Sequence, residues 1–277
     1  MKIIINFLLL LFILSCTTTS GKEKTYIAST PAGVVVKKFL GISLSDSVDF
    51  VRWELFIRDN RYHIHCNYGI SQPNTNGFIG GGVKMELSGE WKKTGNYYEL
   101  QNGNEKLVIA ELNDDLLHLA DTNKNLLVGN GGWSYTLNSL APSGTDQLSL
   151  SPEQTVLSDS MKFEGRSPCK VPGIISEGRE CYKIKWLITL YADKKKNEPG
   201  QYKILATRWR QEGGKTGNWS IITTKDGHTI YQLNDEKGKG LIHLLKADNN
   251  VLLFTDANGK VLTGDGDFSY TLNRRVL

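Results

Sequence analysis

The stretch Val128-Gly-Asn-Gly-Gly-Trp-Ser-Tyr-Thr-Leu-Asn138 decides the fold, because a close copy follows as Thr263-Gly-Asp-Gly-Asp-Phe-Ser-Tyr-Thr-Leu-Asn273. The copy starts 135 residues later (263 against 128), and the same shift carries Asp121 onto Asp256. Matches at one fixed spacing indicate an internal repeat, in which each copy forms one structural unit. The sequence therefore predicts two related domains in one chain.

Weaker matches extend the repeat upstream in the same order. Trp53-Glu-Leu-Phe-Ile57 parallels Trp186-Leu-Ile-Thr-Leu190, and Gly89-Glu-Trp91 parallels Gly217-Asn-Trp219. The shifts between these pairs differ from the shift near the ends of the copies, as expected if the loops of the two copies differ in length. Chance similarity does not easily place the same motifs in the same order twice.

A small polar stretch joins the two copies. Ala141-Pro-Ser-Gly-Thr-Asp146 has the proline, glycine and hydroxyl residues that are typical of a linker, and we place the boundary near its end. The predicted organisation is a first repeat over residues 31–140, a linker over 141–153 and a second repeat over 154–277.

Apolar and polar residues alternate along both copies, which is the pattern of strands with one buried face. Every second residue is apolar from Val51 to Ile57 and again from Ile184 to Leu190. Turn pairs such as Asp226-Gly227 separate the apolar runs, as hairpin turns do. Each copy is predicted to be all-β, as a small antiparallel barrel or a curled meander sheet, with at most a short helical turn over Thr155–Met161.

Large aromatic residues mark the predicted buried faces. Trp53 and Trp91 in the first copy, and Trp186 and Trp219 in the second copy, are expected to fill the two interiors. Trp133 begins another alternating run and is expected on the buried face of a strand.

The N-terminal residues predict export and lipid attachment. The apolar run from Ile3 to Leu14 is shorter than the about 20 residues of a membrane span and is typical of a signal peptide, over residues 1–15. Ile13-Leu14-Ser15-Cys16 resembles the lipobox of bacterial lipoproteins, whose processing attaches acyl chains such as palmitate to the cysteine and cleaves before it. The alternative is an ordinary signal peptide with an incidental cysteine.

The predicted lipid anchor also predicts a location. Residues 16–30 are expected to hold the lipidated cysteine and a flexible polar tether, which attach the protein to a membrane. Thr17 stands where an aspartate would retain an enteric lipoprotein in the inner membrane. We therefore expect the bacterial cell envelope, with the protein on the outer membrane and facing the periplasm.

The net charge argues against nucleic-acid binding, and the lack of catalytic motifs argues against an enzyme. The 277 residues contain 33 Lys and Arg against 29 Asp and Glu, and a net charge of +4 is too small and too mixed in sign for nucleic-acid binding. The sequence contains neither a Gly-x-Ser-x-Gly nor a His-Glu-x-x-His motif, and we identify no catalytic set. The protein is predicted not to be an enzyme.

Three cysteines remain besides the predicted anchor, so at least one of them is unpaired. Cys169 and Cys181 flank a short loop, and the predicted export favours a disulfide between them. The alternatives are a pair of thiolate ligands for Cu(I), or free thiols.

Two histidines offer further candidate metal ligands. His63 and His65 share one face of a strand, where they could hold one ion, whereas Cys66 falls on the opposite face with Tyr62 and Ile64. The alternative is an outward pair of histidines without a metal, and a buried cysteine that packs as a small apolar residue.

A long glycine-rich loop runs from Tyr68 to Gly82. It lacks the Gly-Lys-Ser/Thr ending of a phosphate-binding loop. Phe78 and Ile79 lie among its glycines and could cover a barrel mouth or contact a partner, since long loops in compact domains are often functional. The alternative is a flexible hairpin connection.

The second copy reads Gly165-Arg-Ser-Pro-Cys169-Lys-Val-Pro-Gly-Ile174 and continues to Gly217-Asn-Trp219 and Asp256-Ala-Asn-Gly259. These motifs resemble the N-terminal barrel of the NlpE lipoproteins, a family associated with copper resistance and envelope stress. The resemblance covers roughly residues 163–262 and implies a lipocalin-like β-barrel with a copper-binding or stress-signalling role. Pro172 stands where the second cysteine of the family's Pro-Cys-x-x-Cys motif would lie.

Two functions follow from these features. The first is a non-enzymatic binding or sensing module that handles a small ligand, copper or an envelope-stress signal. The alternative is a structural or accessory lipoprotein that recognises an envelope protein partner. An open barrel interior would favour a ligand carrier, whereas an interior filled by tryptophans would leave only surface recognition.

Overall fold

The computed structural model describes residues 22–145, 147–174, 181–209 and 211–275. These residues form two closed barrels of eight antiparallel strands each. The predicted all-β fold with two tandem barrels is thereby confirmed. The predicted signal peptide, Cys16 and the first part of the tether lie outside the described residues.

The first barrel contains β1 (Lys24–Pro31), α1 (Val34–Leu40), β2 (Phe50–Arg58), β3 (Arg61–Gly69), β4 (Val83–Thr94), β5 (Tyr97–Asn102), β6 (Glu105–Asn113), β7 (Leu116–Ala120) and β8 (Thr136–Ser139). Each strand pairs with the next strand in the chain, and β8 pairs with β1. This meander leaves no open sheet edge, because closure pairs every strand on both sides.

The second barrel contains β9 (Ser160–Ser167), β10 (Ile184–Asp193), β11 (Glu198–Ala206), β12 (Lys215–Thr223), β13 (Thr229–Asn234), β14 (Gly240–Lys246), β15 (Val251–Thr255) and β16 (Thr271–Arg274). It repeats the meander of the first barrel, and β16 closes it against β9. Short 3-10 turns lie at Ile79–Gly81 and Thr207–Trp209.

The first barrel begins earlier in the chain than its sequence indicated. Because β1 starts at Lys24, residues 24–30 belong to the barrel and not to the tether predicted over 16–30. Tyr26 and Ala28 are buried in this strand, so a segment that reads as largely polar still supplies one apolar face.

The segment between the barrels is held against them. Leu148 and Leu150 pack on apolar residues between the two barrels, and the Ser143 amide donates to the Asp115 carboxylate at 2.7 Å. The helical turn predicted over Thr155–Met161 is wrong, because this segment holds no helix and its end enters β9.

Packed side chains fill the interiors of both barrels. Trp53 is 2% exposed and Trp186 is 3% exposed, and each lies within a core of aromatic and aliphatic residues. The indole N–H of Trp53 donates to the Thr30 hydroxyl at 2.7 Å, and that of Trp186 donates to the Ser167 hydroxyl at 2.9 Å. Both copies thus satisfy the same buried donor in the same way.

Two tryptophans depart from the predicted interior. Trp91 is only partly buried, and its indole donates to the Arg61 carbonyl at 3.1 Å. Trp133 precedes β8 in a turn that the Asn130 side chain closes by accepting hydrogen bonds from the backbone. The Trp133 ring stacks on Phe50, with the ring centroids 4.6 Å apart, so it packs between elements rather than on a strand face.

In each barrel the connection between the first two strands packs into the core, but the connection is a helix in the first barrel and a disulfide-closed segment in the second. In the first barrel it contains α1, whose Val36 and Phe39 are fully buried and which ends at Gly41 in the left-handed region (φ 69°). Valines are poor helix formers, so packing rather than propensity holds this helix. In the second barrel Val171 and Ile174 occupy the core from a segment closed by a disulfide.

A third apolar cluster joins the barrels, and we call this interface the seam. It consists of Ala110, Leu112, Leu116, Leu126, Ile230, Leu245, Ala247, Val251, Leu253 and Val261. Burial of a contiguous apolar set of this kind favours association of the two barrels over their independent movement.

Hydrogen bonds across the seam pair each residue with its own repeat counterpart. The Ser134 and Ser269 hydroxyls are 2.5 Å apart, and the Thr136 and Thr271 hydroxyls are 2.9 Å apart. Both pairs are separated by 135 positions, which is the shift of the sequence repeat. Contact between equivalent residues is the property of an interface with two-fold symmetry.

Two reciprocal bonds extend this symmetry. The Gly129 amide donates to the Asn273 side chain, and the Gly264 amide donates to the Asn138 side chain, both at 2.8 Å. A Cβ atom on Gly129 would lie 2.3 Å from the Trp133 carbonyl, so the close approach requires glycine. The repeated motif that reveals the duplication in the sequence therefore also builds the contact between the copies.

Candidate functional site

Successive side chains of β3 point alternately into the first barrel and out of it. Tyr62, Ile64 and Cys66 point inward and are buried, as predicted from the strand pattern. His63 and His65 point outward and stay partly exposed. The cysteine and the two histidines therefore do not converge.

The two outward histidines contact each other and the neighbouring strands. Their ring centroids are 4.4 Å apart and the rings are nearly perpendicular. His63 Nδ1 shares a hydrogen bond of 2.6 Å with the Ser88 hydroxyl, and His65 Nδ1 lies 3.5 Å from Glu54 Oε2. Each ring is thus oriented through its Nδ1 atom by a polar group on an adjacent strand.

A glutamate on β4 completes this cluster. Glu86 pairs directly with His65 across the sheet, and its Oε1 atom lies 3.8 Å from His65 Nε2. Metal-ligating atoms of His63, His65 and Glu86 all lie within 4.8 Å of one another. Both histidines could be identified from the sequence, but Glu86 could not, because a long loop separates β4 from β3 and hides the register in which the two strands pair.

A surface cavity of about 440 Å³ lies beside these residues. Two rows of polar residues face outward across β2, β3 and β4 at this place: Arg52, Asn67 and Lys84 in one row, and Glu54, His65 and Glu86 in the next. Gly266 of the second barrel also borders the cavity, and Arg52 forms a 2.6 Å ion pair with Asp267. The cavity therefore opens on the outer face of these strands beside the second barrel, and Trp53, Cys66 and Met85 of the same strands contribute to its lining.

The second barrel carries a different chemistry on the matching face. Trp186 pairs with Ala206 as Trp53 pairs with Cys66, and this register aligns the outward positions of the two barrels. Leu187 and Leu205 then occupy the places of Glu54 and His65, and Lys203 occupies the place of His63. In the row of Glu54 and His65 the first copy thus presents polar ligands and the second copy leucines, whereas Lys185 keeps a cation at the place of Arg52.

Of the three cysteines in the described residues, two form a disulfide and one is a buried free thiol. Cys169 and Cys181 form a disulfide, with their Cα atoms 5.9 Å apart. The alternative of a Cu(I) site on these two thiolates is wrong, because both sulfur atoms are consumed in the bond. Cys66 is free and buried, and burial raises the pKa of its thiol to about 11, so it stays protonated and is a poor metal ligand.

Loss of the disulfide is expected to destabilise the second barrel. The two cysteines are 12 positions apart, and the chain-entropy argument for a loop of this size gives roughly 3 kcal/mol. The Cys169→Ser/Cys181→Ser variant should therefore unfold at lower urea concentration than the wild type. Reductant should lower the free energy of unfolding of the wild type to that of the variant and should not affect the variant. A difference below about 1 kcal/mol between the oxidised wild type and the variant would contradict the argument.

The two apolar residues of the glycine-rich loop separate in the structure. Phe78 is buried and stacks on Phe50 with the ring centroids 4.1 Å apart, so it covers the core and is not free to contact a partner. Ile79 is exposed. Asn76 donates to Asp267 at 2.6 Å and connects the loop to the second barrel.

Compared with protein-family models, curated proteins and solved structures, the chain gives no match in any of the three. Among the described residues, no helix has both the length and the apolar character needed to cross a membrane.

Proposed function

We propose that the protein is a non-enzymatic binding module of the bacterial cell envelope that recognises its ligand on the outer face of the first barrel. One contrast carries this proposal. Both interiors are filled around Trp53 and Trp186, whereas β2, β3 and β4 present on the outside a cavity that charged and polar side chains border. A filled barrel leaves little room to enclose a ligand, so recognition falls to the surface.

The difference between the two copies also supports ligand binding on the outer face of the first barrel. A scaffold that only spaced or held other proteins would not require Glu54 and His65 on one barrel and leucines at the matching positions of the other. Glu54, His65 and Glu86 expose between 44% and 74% of their side chains, so they are open to a ligand from solution. Arg52, tied to Asp267, places a cation at one end of the cavity.

Membrane attachment through Cys16 is part of the proposal. It is supported by the lipobox-like sequence that ends at this cysteine and by the apolar run before it. We propose attachment to the outer membrane, facing the periplasm. The resemblance of the second copy to the NlpE lipoproteins supports an envelope role, although the disulfide of Cys169 and Cys181 separates this chain from a thiolate copper site.

An accessory lipoprotein that binds an envelope protein is the second candidate function. Ile70, Ile79 and Val83 support it, since these apolar residues are exposed around the loop between β3 and β4. Exposed apolar residues that lie together mark surfaces of protein contact. In this second function the filled barrels bind a protein through their surface and bind no small ligand.

Mass spectrometry of the protein extracted from cell envelopes in detergent tests these proposals. The denatured mass should equal residues 16–277 plus a lipid. Under native conditions we expect an additional bound species in the wild type. The species should be lost in the Glu54→Leu/His65→Leu variant, which carries the residues of the second barrel, and retained in a Lys203→Ala control.

Each readout has a result that contradicts its part of the proposal. A mature mass without lipid would refute the anchor at Cys16. Absence of any bound species, or a species that survives the Glu54→Leu/His65→Leu change, would refute recognition on this face and favour the accessory role.

A further inference from the structure

We propose that the outer face of the first barrel binds one divalent transition-metal ion through His63, His65 and Glu86. The inference rests on the proposed function, because it names the ligand class of the same face. Two imidazoles and a carboxylate are a donor set that zinc and copper proteins use. Their ligating atoms already lie within 4.8 Å of one another.

The polar neighbours of Nδ1 in the two rings favour tautomers in which Nε2 is free to bind a metal. A carboxylate only accepts, so the Nδ1–H of His65 points at Glu54, 3.5 Å away. Nδ1 of His63 is occupied by the Ser88 hydroxyl at 2.6 Å. In the tautomers with the proton on Nδ1, in which His63 donates to the Ser88 hydroxyl oxygen, Nε2 of each ring carries the lone pair that binds a metal, and for His65 this is the nitrogen that faces Glu86.

Only a small movement is needed to close the site. Ligand atoms around a tetrahedral zinc ion lie about 3.3 Å apart, given bond lengths of about 2.0–2.1 Å. His65 Nε2 and Glu86 Oε1 are 3.8 Å apart. Glu86 exposes 74% of its side chain and can rotate without disturbing the core, and a water molecule can take the fourth position.

Glu54 acts as a positioning residue in this arrangement. Metal-ligating histidines usually donate their other N–H to a carboxylate, which fixes the ring and increases its basicity. Glu54 pairs with His65 across the sheet and provides that carboxylate. Phe56 packs on both imidazoles, with centroids at 6.0 Å from His63 and 5.3 Å from His65, and further restricts the rings.

The donor set also selects among metals. Imidazole and carboxylate suit Cu²⁺ and Zn²⁺, whereas Cu(I) prefers sulfur ligands, and the donors of His63, His65 and Glu86 are nitrogen and oxygen atoms. For sites of this kind divalent copper binds more tightly than zinc. An ordinary surface ion pair of His65 with Glu54 and Glu86 would show neither a stoichiometry nor this order of affinities.

Calorimetric titration of the full mature chain with Zn²⁺ or Cu²⁺ alone tests the proposal. The protein carries no histidine tag and is first treated with a chelator. We expect one ion per chain, tighter binding of Cu²⁺ than of Zn²⁺, and coupling to two imidazole nitrogens in the electron paramagnetic resonance spectrum of the copper complex.

Variants locate the ion on the barrel. His63→Lys and His65→Leu introduce the residues of the second barrel, and each should weaken binding by at least about 100-fold. Glu54→Gln should weaken it by about 10- to 100-fold, as loss of an orienting carboxylate does. His243→Gln, at a histidine of β14, is the control and should leave both affinities unchanged.

Unchanged affinity in His65→Leu, or a copper spectrum without nitrogen coupling, would overturn the metal site. The proposed function fails separately. If native mass spectrometry finds an organic species that is lost in Glu54→Leu/His65→Leu while neither metal binds, recognition on this face stands and the metal inference is refuted.

Discussion

Replacement of Trp186 by alanine is expected to lower the free energy of unfolding of the second barrel by about 3–5 kcal/mol, the usual cost of removing a buried large aromatic side chain. Trp186 packs among the interior residues and lies 5.0 Å from Phe254 between ring centroids. The substitution leaves a cavity that a closed barrel cannot easily collapse around, because its strands are fixed by pairing on both sides.

The matched control is Trp91→Ala in the first barrel. Trp91 is only partly buried, so its loss should cost clearly less than the loss of Trp186. Urea unfolding followed by tryptophan fluorescence and by far-ultraviolet circular dichroism measures both variants. Equal costs for the two substitutions would show that the interior of the second barrel is not packed around Trp186.

Acidification from neutral pH to pH 4 is expected to destabilise the first barrel by about 3 kcal/mol, because the pKa of His118 differs between the unfolded and the folded chain. Burial lowers the pKa of this imidazole from 6.5 to about 4. Its Nε2–H donates to the Leu127 carbonyl at 2.9 Å, and Nδ1 accepts from the Thr136 hydroxyl at 2.9 Å, as the neutral ring requires.

The direction of the change in the free energy of unfolding follows from the pH at which His118 binds a proton in each state. Below pH 6.5 the unfolded chain protonates His118, while the folded chain does so only near pH 4. Unfolding therefore takes up a proton in this window, so the free energy of unfolding falls as the pH falls from 6.5 to 4, and it is unaffected above this range.

A variant taken from the second copy tests this expectation. The repeat shift places Leu253 where the first copy has His118. His118→Leu should reduce the fall in stability between pH 6.5 and 4, measured by urea unfolding at a series of pH values. An identical pH dependence in wild type and variant, or an imidazole resonance of His118 that titrates near pH 6.5, would refute the buried neutral histidine.

The barrels could be predicted from the sequence because their causes are local. A two-residue period and frequent turns identify strands with one buried face, and the repeat shows that the pattern occurs twice. The same reasoning correctly placed Cys66 inside and His63 and His65 outside. It failed at Trp133, where the Asn130 side chain organises a turn although the alternation continues.

The remaining features depend on contacts between distant parts of the chain. Glu86 reaches His65 only because β4 pairs with β3 after the glycine-rich loop, and a shift by one residue would have turned it inward. Phe78 is buried because Phe50 and Trp133 stack beneath it, which no pattern within the loop indicates. Spacing alone likewise left Cys169 open between a disulfide and a metal site.

The pairing of Ser134 with Ser269 and of Thr136 with Thr271 has a consequence for how such a protein diversifies. It is the arrangement of a homodimer whose subunits have become one polypeptide. In a true homodimer every substitution appears on both subunits, so each new site is made twice. Covalent fusion removes that constraint, and a substitution on one half no longer has to be tolerated by the other.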